Sequence, residues 1–153
     1  MIKYLVMDVD GTLTDGKIYM GNDGEVMKAF SSKDGYGIHD ILIPAGITPI
    51  IITGRTSKIV ENRCSEMGIK QIHQGVSNKI ERLLSITSDL FNVAYAGDDM
   101  NDLLCMEQIK NAGGLVGCPA DAVQQVKDIA DFISTKNGGS GAVREFIEWL
   151  IYK

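Results

Sequence analysis

Compact apolar runs alternate with amphipathic stretches along most of this chain. Residues 2–7, 47–52 and 93–96 are apolar runs, each followed at once by Asp, Thr or Gly. Runs of this length bounded by turn residues read as buried strands. Residues 70–73 form a weaker strand, 115–116 a fifth and 131–133 a short sixth. Between them, apolar side chains recur at helical spacing: Ile38, Ile41 and Leu42 in 35–44; Ile59, Val60, Cys64 and Met67 in 57–67; Ile80, Leu83, Leu84 and Thr87 in 77–90. A last helix carries Val143, Phe146, Ile147, Leu150 and Ile151 on one stripe. Gly46 and Gly68 stand where C-terminal caps belong. Strands alternating with short helices predict an α/β fold, a Rossmann-like, doubly wound parallel sheet in one domain over residues 1–153.

Residues 15–32 interrupt that alternation. Lys17–Met20 and Glu25–Phe30 are two short strand-like runs around a Gly21-Asn22-Asp23-Gly24 turn, which predicts a β-hairpin inserted just behind the first strand. An isolated hairpin is marginal by itself, and this one has little sheet of its own to cover. It is expected to act as a flap or to contact another subunit, and subunit contact is favoured. Near the other end, Asn137-Gly138-Gly139-Ser140-Gly141 is a Gly-rich loop that suits either close approach to a phosphate or a plain hinge.

Composition removes several alternatives. Fifteen Lys and Arg against twenty Asp and Glu give a net charge of −5, with no basic block, so nucleic acid is not an expected partner. An anionic substrate would have to be met by local cations or a metal. Cys64, Cys105 and Cys118 are irregularly spaced and only two His are present, which speaks against zinc and for reduced, buried thiols in a cytoplasmic protein. No stretch is long enough for a membrane span, and Asp8 and Asp10 break the first apolar run, so no signal peptide is read there.

The candidate chemistry lies where the apolar runs stop. The first strand delivers Asp8 and Asp10 before Gly11-Thr12-Leu13-Thr14. Two carboxylates at i and i+2 repel unless a divalent cation relieves them, and Gly11 lets the chain turn sharply. The second ends in Thr53-Gly54-Arg55, a hydroxyl and free backbone amides ahead of a helix, which suits a phosphate. Arg55 is a forked donor suited to a carboxylate. Lys79 opens the third helix against its dipole; from its segment alone a solvated surface lysine is the better reading. A further strand ends in Asp98-Asp99-Met100-Asn101-Asp102, more oxygen ligands than helix capping needs and of a kind that suits Mg²⁺.

These motifs, in this order over nearly the whole chain, resemble those of the haloacid dehalogenase superfamily of phosphatases. Within it the chain is most similar to the small, capless 3-deoxy-D-manno-octulosonate 8-phosphate phosphatases (the YrbI-like group) and their sialic-acid-phosphate relatives. The resemblance implies a Mg²⁺-dependent cytoplasmic phosphomonoesterase of lipopolysaccharide biosynthesis, with the hairpin as flap and no cap domain. It makes Asp8 the nucleophile and Asp10 the acid and base. Mg²⁺ would be held by the Asp8 carboxylate, the Asp10 carbonyl and Asp98. Thr53 and the Gly54 backbone would hold the phosphoryl group, Lys79 would neutralise it, and Asp99, Asn101 and Asp102 would support the loop. Arg55 favours the eight-carbon sugar acid over a nine-carbon sialic acid. The hairpin would build a homotetramer, and the Gly-rich loop and Arg144 would reach a neighbouring site. Two other classes compete: a signalling receiver, which gathers similar residues in a different strand order, and a non-catalytic module that keeps the fold for oligomerisation.

Overall fold

The computed structural model describes residues 1–153. Strand β1 (Tyr4–Met7) leads into the hairpin strands β2 (Tyr19–Gly21) and β3 (Gly24–Met27). Then come α1 (Ser32–Tyr36), β4 (Thr48–Ile52), α2 (Lys58–Glu66), β5 (Gln71–His73), α3 (Lys79–Ile86), β6 (Val93–Ala96), α4 (Met100–Asn111), β7 (Leu115–Cys118), α5 (Gln124–Ile129), β8 (Phe132–Ile133) and α6 (Ala142–Tyr152). Every strand foreseen from the sequence is present within about three residues of its expected ends, the largest difference being β3, expected to reach Phe30 and ending at Met27. The helices depart more. The one expected at 35–44 begins three residues earlier because Ser31 accepts hydrogen bonds from the Lys33 and Asp34 amides, and it continues as a wider π-type turn over Gly37–Leu42. The one expected at 77–90 stops at Ile86, where Thr87 turns extended; Leu90 belongs to a separate 3₁₀ turn, Leu90–Asn92. Helix α5 was not anticipated, because its six residues carry too little periodic pattern.

The large sheet runs β5-β4-β1-β6-β7-β8, parallel throughout, and the hairpin forms a separate two-stranded sheet. Counted along the chain without the hairpin, that order is 3-2-1-4-5-6. It is the order of dinucleotide-binding α/β folds, whereas receiver-like sheets run 2-1-3-4-5. The winding direction reverses between β1 and β6, and such reversals open a crevice at the carboxyl ends of the two strands. Met7 pairs with Ala96, so the chain leaves both strands at the same height, and Asp8 still donates to the Ala96 carbonyl at 3.1 Å.

Two apolar layers hold the sheet. Leu5, Met7 and Ile51 face one side, against Ile38, Leu42, Val60, Cys64 and the α6 stripe of Val143, Phe146 and Ile147. Val6, Ile50, Ile52 and Tyr95 face the other, against Ile80, Leu83, Cys105, Met106 and Val126. The alternation Leu5/Val6/Met7 shows why an unbroken apolar run was needed: both faces of β1 are covered. No helix is long and apolar enough to cross a membrane.

Candidate active site

The site is assembled at the crevice. After β1 the chain closes a tight turn in which the Thr12, Leu13 and Thr14 amides all donate to the Val9 carbonyl. Gly11 sits there at φ +89°, and a Cβ on it would enter the Asp98 carboxyl, with Cγ 2.6 Å away. Glycine therefore serves both the turn and the approach of two acidic strand ends. The Thr12 hydroxyl donates to Asp98 Oδ1 at 3.1 Å.

Lys79 is not the solvated lysine that its own segment suggests. It is 5% exposed, with Nζ 3.0 Å from Asp8 Oδ1 and 2.9 Å from Asp102 Oδ1. Burial pulls its pKa down, but the anions Asp8 and Asp102 outweigh that and leave it raised. Asp102 is fully buried and fully occupied: Oδ1 takes Lys79 and the Tyr95 hydroxyl at 2.7 Å, and Oδ2 takes the Asp98 and Asp99 amides at 3.0 and 3.3 Å. It thereby ties the loop after β6 to Lys79 and Tyr95. Asp99 is exposed and caps α4, bonding the Met100 amide at 2.7 Å. Asn101 sits exposed on the first turn of α4 and takes no part in these bonds, because Asp99 and Asp102 already satisfy the helix start.

Asp8, Asp98 and Asp102 each place a carboxylate oxygen within 4.8 Å of the others. Burial, then Asp102, push Asp8 up to about 6 against the pull of Lys79. Burial, then Asp8 and Asp102, push Asp98 up to about 8. Such a cluster of anions calls for a cation, and an all-oxygen donor set suits a hard one. Asp102 has no free lone pair directed outward, so the available donors are Asp8 and Asp98. The Asp10 carbonyl in the adjoining turn accepts no backbone hydrogen bond. These groups fit Mg²⁺.

Thr53 is buried just past the end of β4, one position beyond the register of Asp8, its amide bonded to the His73 carbonyl and its hydroxyl without a protein partner among the side-chain bonds of this edge. Gly54 and Arg55 are exposed behind it, and Arg55 forms no ion pair. Gln74 pins the loop, accepting from the Ser57 amide at 2.8 Å and donating to the Ser57 carbonyl at 3.1 Å. The larger surface depressions are lined by other residues, and none of them includes Asp8.

Three contributors escaped sequence reasoning. Tyr95 could have been found, as a buried tyrosine hydroxyl needs a partner. Gln74 and Lys28 carry no periodic signal. Lys28, just past β3, bonds Asp10 Oδ1 at 2.5 Å and Glu25 at 2.8 Å. The Gly-rich loop also makes a close contact within its own chain. Gly138 and Gly139 lie flat on the catalytic turn of their own chain: a Cβ on Gly138 would stand 2.7 Å from the Gly11 carbonyl carbon and 2.8 Å from the Thr14 oxygen. The Gly139 amide donates to the Thr12 carbonyl at 3.3 Å. Arg144 is engaged at home, with Nε 2.6 Å from Glu148 and its guanidinium over the Tyr36 ring.

No family model matches the chain. The 3-deoxy-D-manno-octulosonate 8-phosphate phosphatase KdsC of Escherichia coli K12 is 45% identical over 154 residues, covering 98% of this chain and 79% of the relative. The crystal structure of the 3-deoxy-D-manno-octulosonate 8-phosphate phosphatase of Moraxella catarrhalis, in complex with magnesium, phosphate and KDO, superposes with a TM-score of 0.88 at 39% identity over 99% of this chain and 86% of that one. The cobalt-bound form of the Haemophilus influenzae phosphatase gives 0.88 at 34% identity over 99% and 88%.

Proposed function

The chain belongs to the 3-deoxy-D-manno-octulosonate 8-phosphate phosphatase family of the haloacid dehalogenase superfamily, and from that footing we propose that it hydrolyses this sugar-acid phosphate with Mg²⁺. The observation that carries the reading is the junction of Asp8, Asp98 and Lys79 at the β1/β6 crevice, with Asp102 holding Lys79 in place. Asp8, Asp98 and the Asp10 carbonyl would hold the cation, which would shield the carboxylate nucleophile from the phosphate's charge. Asp8 attacks phosphorus in line, forming an aspartyl-phosphate as the bond to the sugar oxygen breaks. Asp10 protonates the departing alkoxide, then takes a proton from the water that releases phosphate and restores Asp8. Lys79 neutralises Asp8 and the transferring group, which the Thr53 hydroxyl and Gly54 amide orient. Arg55, exposed and unpaired, meets the sugar carboxylate.

The finer assembly is a homotetramer built through the hairpin. Met20, Val26 and Met27 are 63%, 62% and 51% exposed, a concentration of apolar surface beside an open site. Three free thiols, all buried, with Cys64 and Cys105 pushed up to about 12 by burial, favour a reducing, cytoplasmic setting.

The test is Mg²⁺-dependent phosphate release from 3-deoxy-D-manno-octulosonate 8-phosphate, sialic acid 9-phosphate and an aryl phosphate, with Asp8→Asn as control. Preference for the eight-carbon acid, lost in Asp8→Asn, is expected. Preference for the nine-carbon acid would discard the role given to Arg55, and release unaffected by Asp8→Asn would discard the mechanism.

A further inference from the structure

The hairpin meets the acidic edge through Lys28. Its side chain is 1% exposed, with Nζ 2.5 Å from Asp10 Oδ1 and 2.8 Å from Glu25 Oε2. A lysine buried that deeply is costly unless paired. Here both partners are carboxylates, one on the catalytic turn and one on β3. Asp10 itself lies beyond the end of β1, in a turn whose internal bonds run through Val9, Gly11 and Thr14. None of those bonds fixes the Asp10 side chain. Lys28 engages Oδ1, and Oδ2 takes part in no protein hydrogen bond.

An acid and base that serves both halves of a reaction must be aimed at the same point twice, and small misplacements cost large factors. As the Asp8–phosphorus bond forms and the bond to the sugar oxygen breaks, a proton passes from Asp10 to that oxygen. As water attacks and the Asp8–phosphorus bond breaks, a proton passes from water to Asp10. Lys28 exchanges no proton in either half. We propose that Lys28 is a positioning residue for Asp10, and that its second bond, to Glu25, makes the seating of the hairpin set that aim. Subunit contacts on the hairpin then bear on chemistry in their own chain. The proposal rests on the phosphatase reading above.

Two esters separate this role from a structural one. A sugar alkoxide leaves only with a proton, whereas a nitrophenolate leaves without one. In the full chain with Mg²⁺, Lys28→Met is expected to slow turnover of the sugar-acid phosphate about 100-fold, within the usual range for general acid–base catalysis. First-turnover nitrophenol release from 4-nitrophenyl phosphate should change less than about threefold and appear as a burst, because the second half still needs Asp10 as base. Lys28→Arg restores most of the turnover. Glu25→Gln leaves Lys28 on Asp10 and gives the same split at about tenfold, which keeps the test open should Lys28→Met fail to fold. Equal losses on both esters without a burst, or no loss at all, would overturn the proposal. Wild-type chain that turned over neither ester would instead remove the phosphatase reading on which it rests.

Discussion

The acidic edge and the hairpin spring from the same turn and are organised in opposite ways. At the edge Asp102 and Lys79 are answered within the chain: Asp102 accepts four hydrogen bonds, and Lys79 lies between two carboxylates. On the hairpin the apolar side chains Met20, Val26 and Met27 stand largely in solvent, and the tie to the rest of the molecule is the polar one through Lys28. Folding alone sets the first region. The second has surface left over, which association can bury. The edge thus finds its ion-pair partners within one chain, while the hairpin leaves apolar surface exposed.

The sharpest way to break this contrast is to remove the cation at the centre of the edge. Lys79→Met leaves Asp8 and Asp102 facing each other without the ammonium between them, and breaking a buried ion pair from one side costs about 3–5 kcal/mol. Calorimetry should show that loss and phosphate release should fall at least about a thousandfold, since phosphoryl transfer depends on charge stabilisation. A fall in activity with an unchanged melting temperature would mean that the network is not what holds the edge together.

Next in size is the floor beneath the catalytic turn. Gly138→Ala would drive a methyl group into the Gly11 and Thr14 carbonyl region, where backbone and not a flexible side chain must yield. Overpacking of that kind costs about 1–3 kcal/mol, with a loss of activity larger than the same destabilisation placed elsewhere. Ser140→Ala, in the same loop but outside these contacts, supplies the control: equal loss in both variants would end the argument for a buttress.

How much of this was legible beforehand follows the range of each interaction. The strands and their order of chemistry were readable because continuous apolar runs and terminal Asp or Thr are local patterns, and Asp8, Thr53 and Asp98 converge through the sheet order alone. Lys79 was misjudged from its own segment because its partners lie 71 and 23 positions away. The same holds for Gly138, whose constraint is the backbone of Gly11, and for Lys28, whose partner Asp10 precedes it by an entire hairpin turn. Asn101 marks the opposite case: it stands in an acidic motif whose helix start Asp99 and Asp102 already satisfy.

A smaller effect concerns the joint between the two regions. Asp34, on the helix after the hairpin, accepts from the Arg144 amide at 2.9 Å, supplying the N-terminal cap that Gly141 cannot. Its Oδ2 is buried without a partner. Burial raises its pKa from 3.8 to about 6, against the lowering effect of the Arg144, Gly141 and Val143 amides and the Arg144 charge. The unfolded chain therefore releases this proton first as pH rises, the folded chain binds more protons between the two values, and stability falls from about pH 4 to about pH 6. Asp34→Asn should remove that slope and gain about 1–2 kcal/mol at pH 8, with no gain at pH 4. A gain independent of pH would show that the carboxyl is not the source.

The smallest expected effect on the chain is the one that most directly sharpens the contrast. Val26→Asp places a charge on a side chain 62% exposed, so the free energy of folding of the isolated chain should move by less than about 0.5 kcal/mol. If the hairpin exists to be covered by other copies, the same change puts a carboxylate into an apolar contact, and light scattering should report 16.7 kDa where the wild type gives a multiple of it. Asp8, Lys79 and Asp102 are untouched, so the separated chain should still release phosphate from an aryl ester. Its kcat/KM for the sugar-acid phosphate should fall, because an open edge has no wall to hold the sugar. A variant that stayed assembled would move the interface elsewhere. A separated chain that kept full preference for the sugar acid would mean that one copy already encloses its substrate, and the two regions would then be alike in being complete.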